Sequence, residues 1–177
     1  MTLQRGVFFD RDGVLNEALL KDGKPYPPAD AESLVVVPGA RELLLSLKNK
    51  GFILICVTNQ PDVARGSRTL DNVIAMNEKV RNFLPLDDLL VCIHDNIDNC
   101  DCRKPKPGML VKGAKEFGLD LSRSFMVGDR ASDIGAGRAA GSRTIFLDFD
   151  YNEPKPNPPA DFTCFSLNEA VEIILNN

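Results

Sequence analysis

Residues 5–16 read RGVFFDRDGVLN. The apolar run Val7-Phe8-Phe9 stops at an acid, Asp10, and a second acid follows at Asp12, just before Gly13. A short apolar run bounded by turn formers predicts a strand over 5–10 with a bend at its carboxyl end. Downstream the pattern changes period. Pro38-Gly39 opens ARELLLSLKNK, whose leucines recur at helical spacing, and Gly51 supplies a stop. FILICVT (52–58) then reads as a strand buried on both faces. The alternation continues with a helix over 70–84, a strand over 89–93 (LLVCI), and a helix in MLVKGAKEFG closed by Gly118. SFMVGD suits a strand, ASDIGAGRAAG a small-residue helix and RTIFLDF a strand. A short strand near 162–165 and a helix from about 167 complete the series. Repeated βα units of this kind predict an α/β fold, a Rossmann-like three-layer sandwich with a mainly parallel sheet. Residues 21–31 and the proline-rich stretch YNEPKPNPP (151–159) read as loops.

One domain spanning 1–177 is expected at this length. A net charge of -4 with no basic stripe argues against a nucleic-acid partner. No apolar run approaches the length of a membrane span, and MTLQRGVFFDRDG lacks the apolar core of a signal peptide. The expectation is therefore a cytoplasmic protein with no membrane contact and no structural disulfides. Nothing calls for a second subunit, and a monomer is expected.

Strand side chains alternate, so Asp10 and Asp12 tend to point the same way. Two carboxylates so placed repel unless a cation or proton separates them. A solvated Asp-rich turn explains a lone DxDG about as well as a reactive site does. The partners elsewhere favour the site. In open α/β sheets ligands bind beyond the carboxyl ends of the strands, and Asp10, Thr58 and Asp129 each stand at such an end on a separate predicted strand.

The stretch FFDRDGVLN resembles the first motif of the haloacid dehalogenase superfamily of phosphohydrolases. VTN (57–59) resembles its second motif, Lys104 its third and GDRASD (128–133) its fourth, in order and over nearly the whole chain. The resemblance implies a phosphatase in which Asp10 is the nucleophile of an aspartyl-phosphate route and Asp12 the general acid and base. It implies a catalytic Mg²⁺ held by Asp10, the Asp12 backbone carbonyl and Asp129, with Asp133 supporting the set from outside. Thr58 and Asn59 would hydrogen-bond the phosphoryl oxygens, and Lys104 would offset charge in the transition state.

Cys92, His94, Cys100 and Cys102 place four potential ligands within eleven positions. That set matches a closed tetrahedral zinc site, and the stretch HDNIDNCDC is too polar for a core. A structural Zn²⁺ is expected in a loop at about 92–102. Cys56 and Cys164 sit in apolar surroundings and read as core residues. The loop leads into CRKPKPGML, and the combination resembles the cap-less branch that contains heptose bisphosphate and histidinol-phosphate phosphatases. The resemblance implies that Arg103 contacts substrate.

The intervals 12–58 and 58–104 leave no room for a separate cap domain, so loops must recognise the substrate. Asn16, Asn59, Gln60, Arg65, Arg103 and Arg130 are the candidate contacts. The heptose enzymes usually read TNQSGIARG after the second strand, and here the chain reads TNQPDVARG. The ARG ending favours removal of the C7 phosphate of a heptose 1,7-bisphosphate, a small phosphorylated metabolite. Histidinol-phosphate phosphatase, another sugar phosphatase, a nucleic-acid 3′-phosphatase and a non-catalytic zinc-bearing binding module are the alternatives.

Overall fold

A computed structural model describes residues 3–177. Its centre is a six-stranded, all-parallel sheet built from β1 (Arg5–Phe9), β4 (Phe52–Asn59), β5 (Asp88–Cys92), β6 (Phe125–Gly128), β7 (Arg143–Leu147) and β8 (Phe162–Cys164). The spatial order is β5-β4-β1-β6-β7-β8. The chain starts in the middle at β1, winds outward through β4 to β5, then crosses back to β6 on the other side of β1. The winding direction therefore reverses beside β1, and the crevice at such a reversal is where open α/β sheets bind ligands.

Period-2 alternation within the strands divides the core between the two faces. Val7 and Phe9 of β1, Leu54 and Cys56 of β4, and Phe125 and Val127 of β6 pack on one face with α1 (Ala40–Asn49), α2 (Leu70–Phe83) and α5 (Leu167–Leu175). Phe8, Ile55, Val57 and Met126 point the other way, toward α3 (Gly108–Phe117) and α4 (Ala131–Ala140). Each helix turns a stripe at 3.6 spacing to the sheet: Ala40, Leu44 and Leu47 in α1, and Leu167, Ala170, Val171 and Ile174 in α5. The Thr69 and Ser166 side chains accept hydrogen bonds from the N–H groups of Asn72 and Glu169, capping α2 and α5.

The expectation of a loop over 21–31 is corrected. Leu19–Lys21 (β2) and Lys24–Tyr26 (β3) form an antiparallel hairpin. Its turn is Asp22-Gly23, with φ of 53° and 73°. Asp-Gly with both φ values positive is the favoured two-residue hairpin turn. The strands were hidden because Leu19-Leu20-Lys21 is exposed and does not alternate. The Gly23 carbonyl accepts the Asn152 N–H at 2.8 Å, tying the hairpin to the irregular 148–161 connection. No helix among the described residues is long and apolar enough to cross a membrane.

Candidate active site

β1 ends at Phe9, and the Asp10 N–H still donates to the Val127 carbonyl of β6 at 3.0 Å, so the sheet fixes the backbone of the first acid. The chain then reverses tightly. The Arg11 carbonyl accepts from the N–H groups of Leu15 (2.9 Å) and Asn16 (3.1 Å). Gly13 sits at φ 92°, and a Cβ there would lie 2.0 Å from Asp129 Oδ2. Only glycine lets the turn after β1 approach the acid after β6 this closely.

Lys104 brings the edge together. Its Nζ donates to Asp10 Oδ1, Asp133 Oδ1 and the Val57 carbonyl, each at 2.7 Å. Asn59 positions the lysine from β4: its Nδ2 donates to the Lys104 carbonyl at 3.0 Å, and its Oδ1 accepts the Lys104 N–H at 3.1 Å. The Asn59 amide is thus engaged with the lysine backbone rather than held free for a phosphoryl oxygen. Asp133, in the first turn of α4, uses its second oxygen to accept the Arg130 N–H at 3.0 Å. Asp133 is therefore satisfied by protein groups alone, whereas Asp129 is not. Both Asp129 carboxylate oxygens are buried without a hydrogen-bond partner.

Charge follows from this packing. The carboxylates of Asp10, Asp129 and Asp133 converge within 4.8 Å, against the single ammonium of Lys104. Burial raises the Asp10 pKa to about 6, despite the attraction of Lys104 and with a further push from Asp133 and Asp12. Asp129 is driven well above the ordinary carboxylate value, by burial first and then by Asp10 and Asp133. Burial disfavours the Lys104 ammonium, but Asp10 and Asp133 outweigh it and raise its pKa above that of an ordinary lysine. An orphaned, buried carboxylate amid excess negative charge fits a hard divalent cation with oxygen ligands. Asp10 and Asp129 are the side chains placed to hold it.

Asp12 is fixed differently. Arg11, fully buried, donates to its two oxygens at 3.0 and 2.9 Å through Nη2. Gln60 Nε2 donates to Asp12 Oδ2 at 2.8 Å and to Thr58 Oγ1 at 2.9 Å. Asn16 Nδ2 donates to Asp12 Oδ1 at 3.1 Å. Asn16 is fully buried and lies behind Asp12 rather than in the cleft, so the structure gives it an acid to orient in place of a substrate to touch. Thr58 is likewise buried. Arg11 and its anchor Asn77, whose Oδ1 accepts Arg11 Nη1 at 2.7 Å, were not foreseen. A basic residue between two acids reads as solvated in sequence, and nothing local signals the distant asparagine.

Asp10, Asp12 and Lys104 open into a cleft of about 290 Å³. Asn59, Gln60, Arg65, Arg103 and Arg130 line it, together with Lys24 and Tyr26 of the hairpin. These two hairpin residues were missed, and the Asp22-Gly23 dipeptide was the available signal. Arg130 donates to the Pro25 carbonyl and faces Glu153 at 3.5 Å, which fixes the hairpin wall. Pro61-Asp62 fits its turn without strain: the Pro61 carbonyl accepts the Arg65 N–H at 3.1 Å, and Asp62 is not among the residues with positive φ.

At the cleft's far rim the sulfurs of Cys92, Cys100 and Cys102 lie 3.1–3.6 Å apart. His94 Nδ1 is 3.6 Å from Cys92 Sγ and 3.3 Å from Cys102 Sγ. These separations are too long for disulfides, and they approach the edges of a tetrahedron with metal–sulfur bonds of about 2.3 Å. Burial pushes the Cys92 thiol up to about 12. Burial opposes ionisation of Cys100 too, but the Arg103 N–H and the neighbouring thiols bring it down to about 7. A full set of thiolates at this spacing needs a cation, and a soft-ligand tetrahedral site suits zinc.

Residues 26–141 match the family described as haloacid dehalogenase-like hydrolase. A protein of Pasteurella multocida named D-glycero-beta-D-manno-heptose-1,7-bisphosphate 7-phosphatase is 36% identical over 82% of this chain and 82% of its own. A Helicobacter pylori protein of the same name is 33% identical over 98% of this chain and 99% of its own. Among solved structures, a D,D-heptose 1,7-bisphosphate phosphatase from B. bronchiseptica, complexed with magnesium and phosphate, superposes with a TM-score of 0.79. It covers 97% of this chain and 98% of its own at 24% identity, a likeness of fold.

Proposed function

The chain belongs to the haloacid dehalogenase-like hydrolases, and from that premise we propose that it removes the C7 phosphate of D-glycero-D-manno-heptose 1,7-bisphosphate. The observation that carries the chemistry is the buried Asp10–Lys104–Asp133 network beside the unpartnered Asp129 carboxylate. The names of relatives matched over 82% and 98% of this chain supply the sugar. In this reading all of 1–177 acts as one domain with no cap, and as a monomer. A reducing cytoplasm suits the five unpaired cysteines.

Asp10 attacks the phosphorus atom through a carboxylate oxygen. The bond from phosphorus to the ester oxygen breaks as Asp12 delivers a proton to that oxygen, and the sugar departs. Asp12, now a base, takes a proton from water. The resulting oxygen attacks the aspartyl-phosphate, phosphate leaves and Asp10 is restored. Lys104 holds Asp10 in place and sets positive charge beside the phosphoryl group. Arg11, Gln60 and Asn16 hold the Asp12 carboxyl so that it faces the leaving oxygen. Mg²⁺ held by Asp10, the Asp12 carbonyl and Asp129 would supply Lewis-acid stabilisation of the phosphoryl oxygens. Zn²⁺ held by Cys92, His94, Cys100 and Cys102 would stiffen the 92–102 loop without entering the chemistry.

The test is phosphate release with Mg²⁺ from heptose 1,7-bisphosphate, histidinol phosphate, simple sugar phosphates and nucleotides. The bisphosphate is expected to give the highest kcat/KM. A preference for histidinol phosphate sinks the sugar assignment, and no release from any ester sinks the phosphatase.

A further inference from the structure

Asp95 stands between two ligands of the cysteine cluster and belongs to none of the family motifs. It is the most heavily partnered acid on the rim. Its Oδ2 accepts from Arg65 Nε at 2.7 Å and its Oδ1 from Arg65 Nη2 at 2.8 Å, a two-pronged pair between the 61–66 segment and the 92–102 loop. Arg103 Nη2 lies 4.0 Å from the same Oδ1. Arg103 is steadied from the same turn, donating through Nε to Asn96 Oδ1 at 2.8 Å and through Nη1 to the His94 carbonyl at 3.4 Å. The carboxylate is itself fixed. It accepts the Asn96 N–H at 2.8 Å, and the Asp95 N–H donates to Asp98 Oδ2 at 2.7 Å.

Arg65 and Arg103 line the catalytic cleft and Asp95 does not; Asp95 lines the smaller cavity on the other side of Arg103. An anion on the far side of two arginines leaves donors of each fork facing the cleft, since a guanidinium carries five N–H groups and Asp95 takes two from Arg65. Among the described residues the only other acid beside Arg65 is Asp62, at a looser 3.7 Å.

We propose that Asp95 is a positioning residue that ties the 92–102 loop to the 61–66 segment and holds Arg65 and Arg103 toward the second anionic group of the substrate. The proposal rests on the bisphosphate reading above. Asp95 touches neither the reacting phosphate nor the nucleophile. It acts on affinity, by ordering two flexible cations before substrate arrives. It also gives the cysteine cluster a route to the cleft: whatever fixes the 92–102 loop fixes both arginines.

The experiment is Asp95→Asn, which keeps the side chain's shape and an acceptor for the Asn96 turn but removes the charge-assisted fork. Three readouts are taken on purified full-length protein. Hydrogen exchange of the amides in 61–68 is expected to speed up by roughly three- to tenfold. The KM for heptose 1,7-bisphosphate is expected to rise by a similar roughly three- to tenfold, with kcat within about twofold. Turnover of p-nitrophenyl phosphate, which has no second anion, and zinc content are expected to stay unchanged. In an Arg65→Ala background the same substitution should add less than about a twofold rise, because its main partner is already gone. Unchanged exchange in 61–68 overturns the tether. Equal losses on both esters, unchanged KM for the bisphosphate, or a full effect in the Arg65→Ala background each overturn the positioning role. A wild-type enzyme that hydrolyses p-nitrophenyl phosphate but ignores the bisphosphate overturns the substrate reading instead, while the exchange measurement still decides the tether.

Discussion

The carboxyl edge of the sheet and the loop rim above it use the same kinds of side chain to different ends. At the edge, Asp10, Lys104, Asp129 and Asp133 are all buried. Every charge there except that of Asp129 meets a protein partner, and the backbone of strands β1, β4 and β6 sets the spacing. At the rim, Arg65 and Asp95 pair at equally short distances, but the Arg65 side chain is 47% exposed. Water screens the rim pair, so it contributes little to stability. A buried charge left unpaired at the edge costs several kcal/mol. The edge therefore carries fold and chemistry together, and the rim is free to carry selectivity. Substitutions at the edge should act on kcat and stability, and those at the rim on KM.

The largest expected effect is at Asp10, the proposed nucleophile. Asp10→Asn keeps the shape and the Lys104 contact on one oxygen but removes the attacking charge. Turnover of every phosphate ester should fall by more than about 1,000-fold, because covalent catalysis has no substitute group within reach. Circular dichroism on the same sample should be unchanged. Activity within tenfold of the wild type refutes the assignment.

Lys104→Met tests whether the edge holds fold and chemistry in one place. The ammonium bonds Asp10, Asp133 and the Val57 carbonyl, and all three lose it. Breaking a buried pair costs about 3–5 kcal/mol. Because burial already lifts Asp10 to about 6, that group can take a proton at modest cost, so the lower end, about 3 kcal/mol, is expected. For a chain of this size that is a fall in Tm of roughly 6–12 °C, alongside loss of turnover. A Tm unchanged by calorimetry would separate stability from chemistry at the edge and break the comparison.

The cysteine cluster sharpens it from the other side. Purified protein should hold about one zinc per chain, and Cys102→Ser should release it. Structural zinc sites in small peptides are worth on the order of 10 kcal/mol, but here the loop leaves the edge strand β5 and most of the core lies between the sheet and its helices, so the damage should stay local. Hydrogen exchange should rise within 92–102 and in 61–68, and KM should rise more than kcat falls. Wild-type protein made with zinc available and found to contain none defeats the assignment. A collapse of the whole fold in Cys102→Ser places the cluster with the edge instead of the rim.

The two regions also differ in how much of them the sequence reveals. The edge was legible because backbone periodicity dictates it. An apolar run places its last residue at the sheet's carboxyl end, so the pattern alone brings Asp10, Thr58 and Asp129 together. The cysteine and histidine spacing was legible for a similar reason: four potential ligands in eleven positions leave few other arrangements. The rest depended on contacts between segments far apart in the chain. Asn16 reads as a substrate contact because loops must recognise substrate where no cap exists, and Asn59 reads as a phosphoryl contact through the resemblance of VTN to the family's second motif. The structure turns Asn16 behind Asp12, whereas Asn59 lines the cleft but spends its amide on the lysine backbone. Arg11 is fully buried with a partner, Asn77, sixty-six positions away, and no local pattern encodes that. The hairpin was missed because its first strand, Leu19–Lys21, is exposed throughout and lacks the period-2 signal.

The smallest expected effect, and the one most specific to substrate, is at Arg103. Two of its groups are committed to the 92–102 loop, through Asn96 and the His94 carbonyl, and the guanidinium borders the catalytic cleft. In the proposed reading Lys104 serves the transferred phosphoryl group, which would leave Arg103 to meet a second anion. A bisphosphorylated sugar offers one, whereas histidinol phosphate offers a cationic amine that Arg103 repels. Arg103→Ala should lower kcat/KM for heptose 1,7-bisphosphate by roughly tenfold, the loss of about one charged hydrogen bond. Most of that should appear in KM, since the contact is made in ground state and transition state alike. For p-nitrophenyl phosphate the change should stay within about twofold, and for histidinol phosphate the repulsion is relieved, so its kcat/KM should hold or rise. The sign of that last response separates charge recognition from general loosening of the loop. If all three esters lose equally, Arg103 belongs with the edge as part of the common machinery, and the division between a catalytic edge and a selective rim fails at this residue.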